Sequence, residues 1–231
     1  MKMLKIKKNN ESVLSIGNFD GVHLGHQKIL QTVKELSIKR KIEASIISFY
    51  PSPFSFLYPR KFYGHIDTYT EKNEKIKKHG IDNIEILEFN NKIRHITAED
   101  FLSNIIIDCF KPKVIVVGYD HHFGYNKKGD YDFLYKNREK YNYELIKINK
   151  ELIEGMTISS SKIRESLLSG KVDIANKMLG SLFKIKGIVI KGSQLGKKIG
   201  FPTANIEVED LKLIPGKGVY LVVVKIFNKE Y

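Results

Sequence analysis

The sequence predicts an α/β fold, in which a parallel sheet is covered by helices on both faces and a smaller β-rich segment follows. Apolar runs typical of strands alternate with helical patterns through the first 180 residues, which favours a parallel sheet with crossover helices. Residues 114–118 are continuously apolar, as expected of a strand buried on both faces. From Phe183 onward the helical pattern ends and β-like segments follow.

The elements are predicted in chain order from their spacing and caps. Residues 12–16 form the first strand, and residues 28–40 form a helix whose apolar positions recur at helical spacing. Further strands are predicted at residues 44–49, 84–87, 114–118 and 144–148. Helices are predicted from the capping box of Thr68 and Glu71, from Thr97, from near Asp130, and as a pair running from Ser160 to Leu179.

The change of pattern places a domain boundary near Ser181. Residues 1–181 have the size of an ordinary domain, whereas residues 182–231 are too few for a comfortable independent core. Within this second piece, residues 218–226 are predicted to form a strand. The ligand site is expected at the carboxyl ends of the parallel strands of the first domain.

Composition narrows the function classes. The net charge is +13, but 34 of the 39 basic residues are lysines spread along the chain, whereas a nucleic-acid surface would cluster arginine with aromatics. We therefore expect no nucleic-acid partner. One cysteine, Cys109, suits a reducing compartment, and no 18-residue apolar run is present. These features predict a soluble cytoplasmic protein without a membrane partner; the sequence leaves its oligomeric state open.

The most informative stretch is residues 17–27, which connects the first strand to the first helix. Its glycines, Gly17, Gly21 and Gly25, let the main chain approach a ligand closely. The turn also brings His23 and His26 to a helix start, where free N–H groups and the helix dipole favour an anion. This combination predicts a phosphate site.

A second helix start follows Ser159 and Ser160, with Arg164 one turn inside the helix. Two helix N-termini at one sheet edge can hold a polyphosphate from both sides. Asp120 and Phe123 follow the buried strand at residues 114–118, so they are predicted to line a pocket. Other interpretations are zinc binding by His23 and His26, which needs a third ligand such as His121 or His122, and ordinary capping or surface residues.

A glycine- and lysine-rich loop at residues 192–200 leads into a Pro-Thr-Ala-Asn segment at residues 202–205. By itself it could be a plain hairpin loop. It is not a Walker A loop, because the Gly-Lys-Ser/Thr ending is absent.

Together these motifs resemble the prokaryotic bifunctional riboflavin kinase/FAD synthetase over essentially the whole chain. Residues 17–26 match the adenylyltransferase signature of that family, residues 158–164 its second signature, and residues 200–205 its riboflavin kinase signature. The resemblance implies a Rossmann-like nucleotidyltransferase domain that joins AMP from ATP to FMN, and a riboflavin kinase β-barrel after it.

The resemblance also implies roles for individual residues and for Mg²⁺ as the cofactor. The residues expected to act on the ATP phosphates are His23, His26, Ser160 and Arg164. Further ATP contacts are expected from Gly17, Asn18, Phe19, Asp20, Gly21, Gly25 and Ser159. Asp120 and Phe123 fall where the family holds the flavin. Kinase-type nucleotide contacts are expected from Gly192, Lys197, Gly200, Pro202, Thr203 and Asn205, with Thr203 and Asn205 as Mg²⁺ ligands.

The chain departs from the family pattern at three places before its end. Ser52 stands where the family usually has histidine between two prolines, and His121 and His122 stand where many relatives have Phe-Arg. Thr157 stands just before the second signature, where some relatives have arginine. The family's kinase barrel exceeds a hundred residues and its catalytic glutamate lies beyond Tyr231, so this chain is expected to make FAD from FMN without phosphorylating riboflavin. The alternatives are another adenylyl- or cytidylyltransferase with a His-x-Gly-His turn, and a non-catalytic flavin- or nucleotide-binding protein.

Overall fold

The structure is a computed structural model that describes residues 10–153, 155–193, 195–227 and 229–230, without the side chains of residues 195 and 197. Five parallel strands form the central sheet in the order β3-β2-β1-β4-β5. They are β1 (Ser12–Ile16), β2 (Glu43–Tyr50), β3 (Asn83–Glu88), β4 (Pro112–Gly118) and β5 (Glu144–Ile148). The predicted parallel α/β sheet is confirmed, and the strand order reverses direction between β1 and β4.

Helices cover both faces of the sheet, and the last two helices of the first domain form a separate cluster. In chain order they are α1 (Leu24–Arg40), α2 (Pro53–Leu57), α3 (Tyr69–Lys78), α4 (Asn91–Arg94), α5 (Ala98–Asp100), α6 (Asp108–Phe110), α7 (Tyr131–Tyr141), α8 (Ser160–Leu168) and α9 (Val172–Leu179). A π-helical stretch, Phe101–Ile107, joins α5 to α6. The sequence pattern did not reveal this stretch or the short helices α2 and α4.

The helix caps follow the predicted chemistry. The Thr68 hydroxyl accepts the N–H of Glu71, whose carboxylate accepts the N–H of Thr68 in return, so the predicted capping box of α3 is confirmed. Asp130 caps α7 through the N–H of Phe133. Helix α1 begins at Leu24, earlier than the apolar pattern indicated, because His23 caps it.

Alternating strand residues build a core on each face of the sheet. Leu14, Ile47 and Ile115 pack against the helical stretch of residues 98–110 and against α7. Their neighbours Val13 and Ile46 point to the opposite face, where they pack against α1 and α3. A third cluster joins α8 and α9 to Ile66 and, unexpectedly, to Leu213 from the C-terminal segment.

The C-terminal segment contains two antiparallel pairs, as the predicted β-rich character requires. They are formed by β8 (Gly187–Ile190) with β9 (Asn205–Val208) and by β10 (Lys225–Ile226) with β11 (Lys229–Glu230); the short helix α10 (Leu195–Lys198) lies between β8 and β9. A further small hairpin, β6 (Leu152–Ile153) with β7 (Met156–Thr157), precedes α8. The predicted strand at residues 218–226 is wrong except for β10. In the described part of the chain no strand pairs with residues 218–224, and a strand needs such a ladder.

Candidate active site

The turn after β1 adopts a strained backbone. Phe19 and Val22 have positive φ values of 52° and 40°, and Gly21 between them has a φ of 81°. A positive φ is uncommon for any residue other than glycine, and for a β-branched residue such as Val22 it is a genuine outlier. A Cβ on Gly21 would lie 2.9 Å from the Ile66 side chain. Such strain concentrates at functional sites, where the surrounding fold holds it in place.

The two histidines of the turn are stacked at the start of α1. Their ring centroids lie 3.6 Å apart with an interplanar angle of 16°. The His23 Nδ1 accepts the backbone N–H of His26 at 3.3 Å. Because that nitrogen accepts, the neutral ring of His23 carries its proton on Nε2.

Burial keeps both imidazoles uncharged at neutral pH. It lowers the pKa of His23 to about 4, against a smaller opposing effect of the Asp20 carboxylate. It also lowers the pKa of His26 well below its usual value, with smaller contributions in the same direction from the neighbouring His23 and Lys72. The pair therefore provides neutral N–H donors. The Nδ1 of His26 is buried without a hydrogen-bond partner in the described residues.

The second helix start meets the first, as the sequence predicted. Ser159 caps α8 by accepting the N–H of Lys162, and the Ser160 hydroxyl donates to the backbone carbonyl of Asp20 at 3.0 Å. Between the two helix starts and the ends of β4 and β5 lies a cavity of about 220 Å³. Its lining includes His23, Gly25, His26, Gly118, Asp120, Ser159, Ser160 and Ser161.

Asp20 and Arg164 lie side by side behind this cavity and are not part of its lining. The Asp20 carboxylate is 3% exposed and is paired with the Arg164 guanidinium. It also accepts the N–H groups of Ile66 at 3.3 Å and of Asp67 at 3.2 Å. Arg164 Nε donates to the carbonyl of Gly64 at 3.3 Å. The carboxylate predicted to contact ATP is thus occupied in organising residues 64–67 and Arg164.

Lys72, which sequence reasoning missed, is buried and binds the turn after β1 to β2. The Lys72 ammonium donates to the Asn18 carbonyl at 3.1 Å, the Ser48 hydroxyl at 3.0 Å and the Phe49 carbonyl at 3.4 Å. Burial lowers its pKa to about 8, while Asp20 and Asp67 oppose that shift. In the sequence Lys72 looks like one more charge on a polar helix, so no signal distinguished it.

The two residues predicted to contact the flavin, both in the loop after β4, lie in different surroundings. Asp120 lines the cavity. Phe123 is 7% exposed and packs in the core, with its ring 5.4 Å from that of Phe101 and 5.9 Å from that of Phe133. Beside it, burial lowers the pKa of His121 to about 4, with a smaller contribution from His122. The Nε2 of His121 has no partner among the described residues.

The predicted kinase-type residues are absent from the cavity lining and lie in the connection between β8 and β9, with Asn205 as the first residue of β9. A Cβ on Gly192 would lie 2.1 Å from the Asn205 amide nitrogen. A Cβ on Gly196 would lie 2.2 Å from the Phe201 carbonyl oxygen and 3.2 Å from the Thr203 hydroxyl. The loop therefore folds back on Thr203 and Asn205 only because both positions are glycine. Gly200 and Pro202 belong to the same connection, and the Lys197 side chain lies outside the described atoms.

Neither a ready-made metal cluster nor a membrane helix is found in what the structure describes. Within the described residues, no three His, Cys, Asp or Glu side chains are placed to hold a metal ion. No helix there is both long enough and apolar enough to cross a bilayer.

A parallel sheet with two helix N-termini meeting at its switch point is the arrangement of an α/β nucleotide-binding enzyme. The family model described as FAD synthetase matches residues 5–162, and the model described as riboflavin kinase matches residues 179–231. The chain belongs to the FMN adenylyltransferase (FAD synthetase) family of nucleotidyltransferases, in its bifunctional form.

Named relatives agree with this assignment. A bifunctional riboflavin kinase/FMN adenylyltransferase of Buchnera aphidicola subsp. Schizaphis graminum is 39% identical over 228 residues, which are 97% of this chain and 72% of that protein. The enzyme of the same description from Escherichia coli K12 is 34% identical over 91% of this chain and 67% of its own length. A solved structure from Streptococcus pneumoniae, described as a macrolide-efflux protein, has a TM-score of 0.88 and 32% identity, and the match covers 98% of this chain and 74% of that one.

The riboflavin kinase match bears on one expectation from the sequence. Residues 179–231 belong to the kinase family model, so the expectation that this chain does not phosphorylate riboflavin finds no support.

Proposed function

We propose that this chain transfers AMP from ATP to FMN, forming FAD and releasing pyrophosphate. One observation carries the proposal: two neutral imidazoles and two helix N-termini line a single cavity at the switch point of the sheet. Donors of this kind stabilise phosphate charge without adding a proton to the reaction. FMN is the acceptor favoured by the family to which the chain belongs.

In the proposed reaction a phosphate oxygen of FMN attacks the α-phosphorus of ATP. The new P–O bond forms as the bond between the α-phosphorus and the bridging oxygen breaks, and that oxygen leaves with pyrophosphate. The attacking group is already an anion, so no side chain has to remove a proton. The protein contributes placement in line and stabilisation of the growing negative charge.

The side chains have distinct proposed tasks. His23 donates its Nε2–H to a phosphate oxygen, and the N-termini of α1 and α8 stabilise charge on the chain of phosphates. Ser160 ties α8 to the turn through the Asp20 carbonyl. Arg164 acts from behind the cavity, because its partner Asp20 holds it there.

The residues present suit Mg²⁺, which prefers oxygen ligands and is usually bound by one or two side chains together with phosphates. In the adenylyltransferase cavity Asp120 offers a carboxylate. In the second segment Thr203 and Asn205 offer a hydroxyl and an amide oxygen, close to Gly196 and Gly192. When bound, Mg²⁺ supplies further neutralisation of the phosphate charge.

The proposal is tested by incubating the protein with ATP, Mg²⁺ and FMN and separating the products by chromatography. We expect FAD and pyrophosphate in equal amounts. Nucleotide binding without pyrophosphate release would identify a non-catalytic binding protein. Transfer of a nucleotide to another phosphate ester but not to FMN would identify a different nucleotidyltransferase. A parallel incubation with riboflavin and ATP tests the kinase activity.

A further inference from the structure

The C-terminal segment that matches the kinase family reaches into the adenylyltransferase domain at Lys212. Only 1% of this side chain is exposed, and its ammonium is 2.6 Å from the Glu71 carboxylate and 2.7 Å from the carbonyl oxygen of Ile66. The same nitrogen lies 4.8 Å from the centre of the Phe183 ring. Burying two charges costs desolvation energy, so an ion pair of this kind is weak evidence of a role in stability. Its position in the fold says more about what Lys212 does.

The main chain around Lys212 is fitted to residues 64–67 as well. The N–H of His65 donates to the Leu211 carbonyl at 2.7 Å, and the N–H of Leu213 donates to the His65 carbonyl at 2.8 Å. Gly64 permits this approach, because a Cβ there would lie 2.8 Å from the Leu213 nitrogen and its φ is 121°. The segment therefore holds residues 64–66 by two backbone hydrogen bonds and by the bond from the Lys212 ammonium to the Ile66 carbonyl, in addition to the ion pair with Glu71.

Residues 64–67 in turn hold the charged pair behind the ATP cavity. The N–H groups of Ile66 and Asp67 fix the Asp20 carboxylate, and the Gly64 carbonyl fixes Arg164. The Asp20 carbonyl receives the hydroxyl of Ser160 at the start of α8. Two contacts thus separate the Lys212 ammonium from Asp20, and the next one reaches the helix that lines the cavity.

We propose that Lys212 is a positioning residue for adenylyl transfer: from the segment that matches the kinase family, it fixes the loop that orients Asp20 and Arg164. The inference rests on the proposed function for its kinetic consequence, but the effect on the loop itself does not depend on it. Small displacements of groups that position a reaction cost large factors in rate.

The test compares Lys212→Met, Glu71→Gln and the double variant with Ile81→Ala in the full chain. Ile81 is 6% exposed and belongs to the core cluster of α1 and α3, which includes none of residues 64–67. All proteins are assayed for FAD formation at a temperature at which each is folded. We expect Lys212→Met to lower kcat/KM for ATP about tenfold or more, and Ile81→Ala to stay within about twofold of the parent despite its lost core packing.

The double variant separates positioning from stability. Removing both charges leaves neither one buried without its partner, so thermal stability should recover relative to Lys212→Met, while kcat/KM should stay low. Recovery of rate together with stability, or an equal loss of rate in Ile81→Ala, would overturn the proposal.

Hydrogen exchange gives a readout that needs no turnover. The amides of Ile66 and Asp67 should exchange about tenfold faster in Lys212→Met than in the parent, because their loop loses its anchor. Unchanged exchange would contradict the proposal even if the parent makes no FAD, and absence of FAD from the parent would refute only the proposed function.

Discussion

Replacing Asp20 by asparagine removes the charge that holds Arg164 while it keeps the shape of the side chain. The carboxylate is 3% exposed and the guanidinium 13% exposed, so water cannot take over the lost interaction. Removing one partner of a buried ion pair costs roughly 3–5 kcal/mol, because the other charge stays buried without compensation. The amide nitrogen of asparagine would also face either the guanidinium or the N–H donors of Ile66 and Asp67.

We therefore expect Asp20→Asn to lower the free energy of unfolding by about 3 kcal/mol, measured by urea denaturation at pH 7. The matched control is Glu74→Gln, which breaks an ion pair with Lys186 whose side chains are 51% and 63% exposed. That change should cost less than about 1 kcal/mol.

A double-mutant cycle with Arg164→Met completes the experiment. Once the guanidinium is gone, the loss of the Asp20 charge should cost much less, giving a coupling energy above about 1 kcal/mol. An Asp20→Asn variant as stable as the control, or a coupling energy near zero, would show that the Asp20 charge does not hold Arg164 in place.

Three further predictions concern the same region. His26→Ala should slow FAD formation roughly 10²–10³-fold, as loss of one preorganised donor does, whereas His79→Ala, outside the cavity lining, should leave turnover near that of the parent. The pKa of His121 is lowered in the folded protein, so the unfolded chain binds a proton first and stability falls as the pH drops from 6.5 towards 4. Between pH 7 and pH 5 the free energy of unfolding, measured with urea, should fall by roughly 1–2 kcal/mol less in His121→Phe than in the parent. An equal fall in the two proteins would contradict this. Gly21→Ala should destabilise more than Gly155→Ala by at least about 1 kcal/mol, because both have positive φ but only Gly21 faces a side chain at 2.9 Å; equal melting temperatures would refute the steric argument.

The regular elements near the site were predictable because their signals are local. The apolar run of β4, the capping box of α3 and the histidine turn before α1 each depend on residues within a few positions of one another. The opposite case is residues 218–224, whose strand-like composition finds no neighbouring strand in the described part of the chain. Strand formation depends on a partner, and composition alone does not provide one.

The residues of the candidate site likewise fall into those that local sequence signals predict and those that they do not. The glycines and the residues at the two helix starts could be singled out from sequence, because helix N-termini bind phosphate through local geometry. The roles of Asp20, Lys72 and Lys212 could not be singled out. Each is one charged residue among many, and each acquires a role only from partners that lie 46, 54 or 141 positions away.

Periodicity, caps and short motifs were thus enough to predict the α/β class, the order of the main elements and the turn that gathers phosphate-binding groups. Long-range packing set which charges face the cavity and which support it. It turned Asp20 away from the cavity towards Arg164, buried Lys72 beneath the turn and docked Lys212 against Glu71. The reason is physical: burial makes a charge depend on its partners, and long-range packing alone determines which partners it meets.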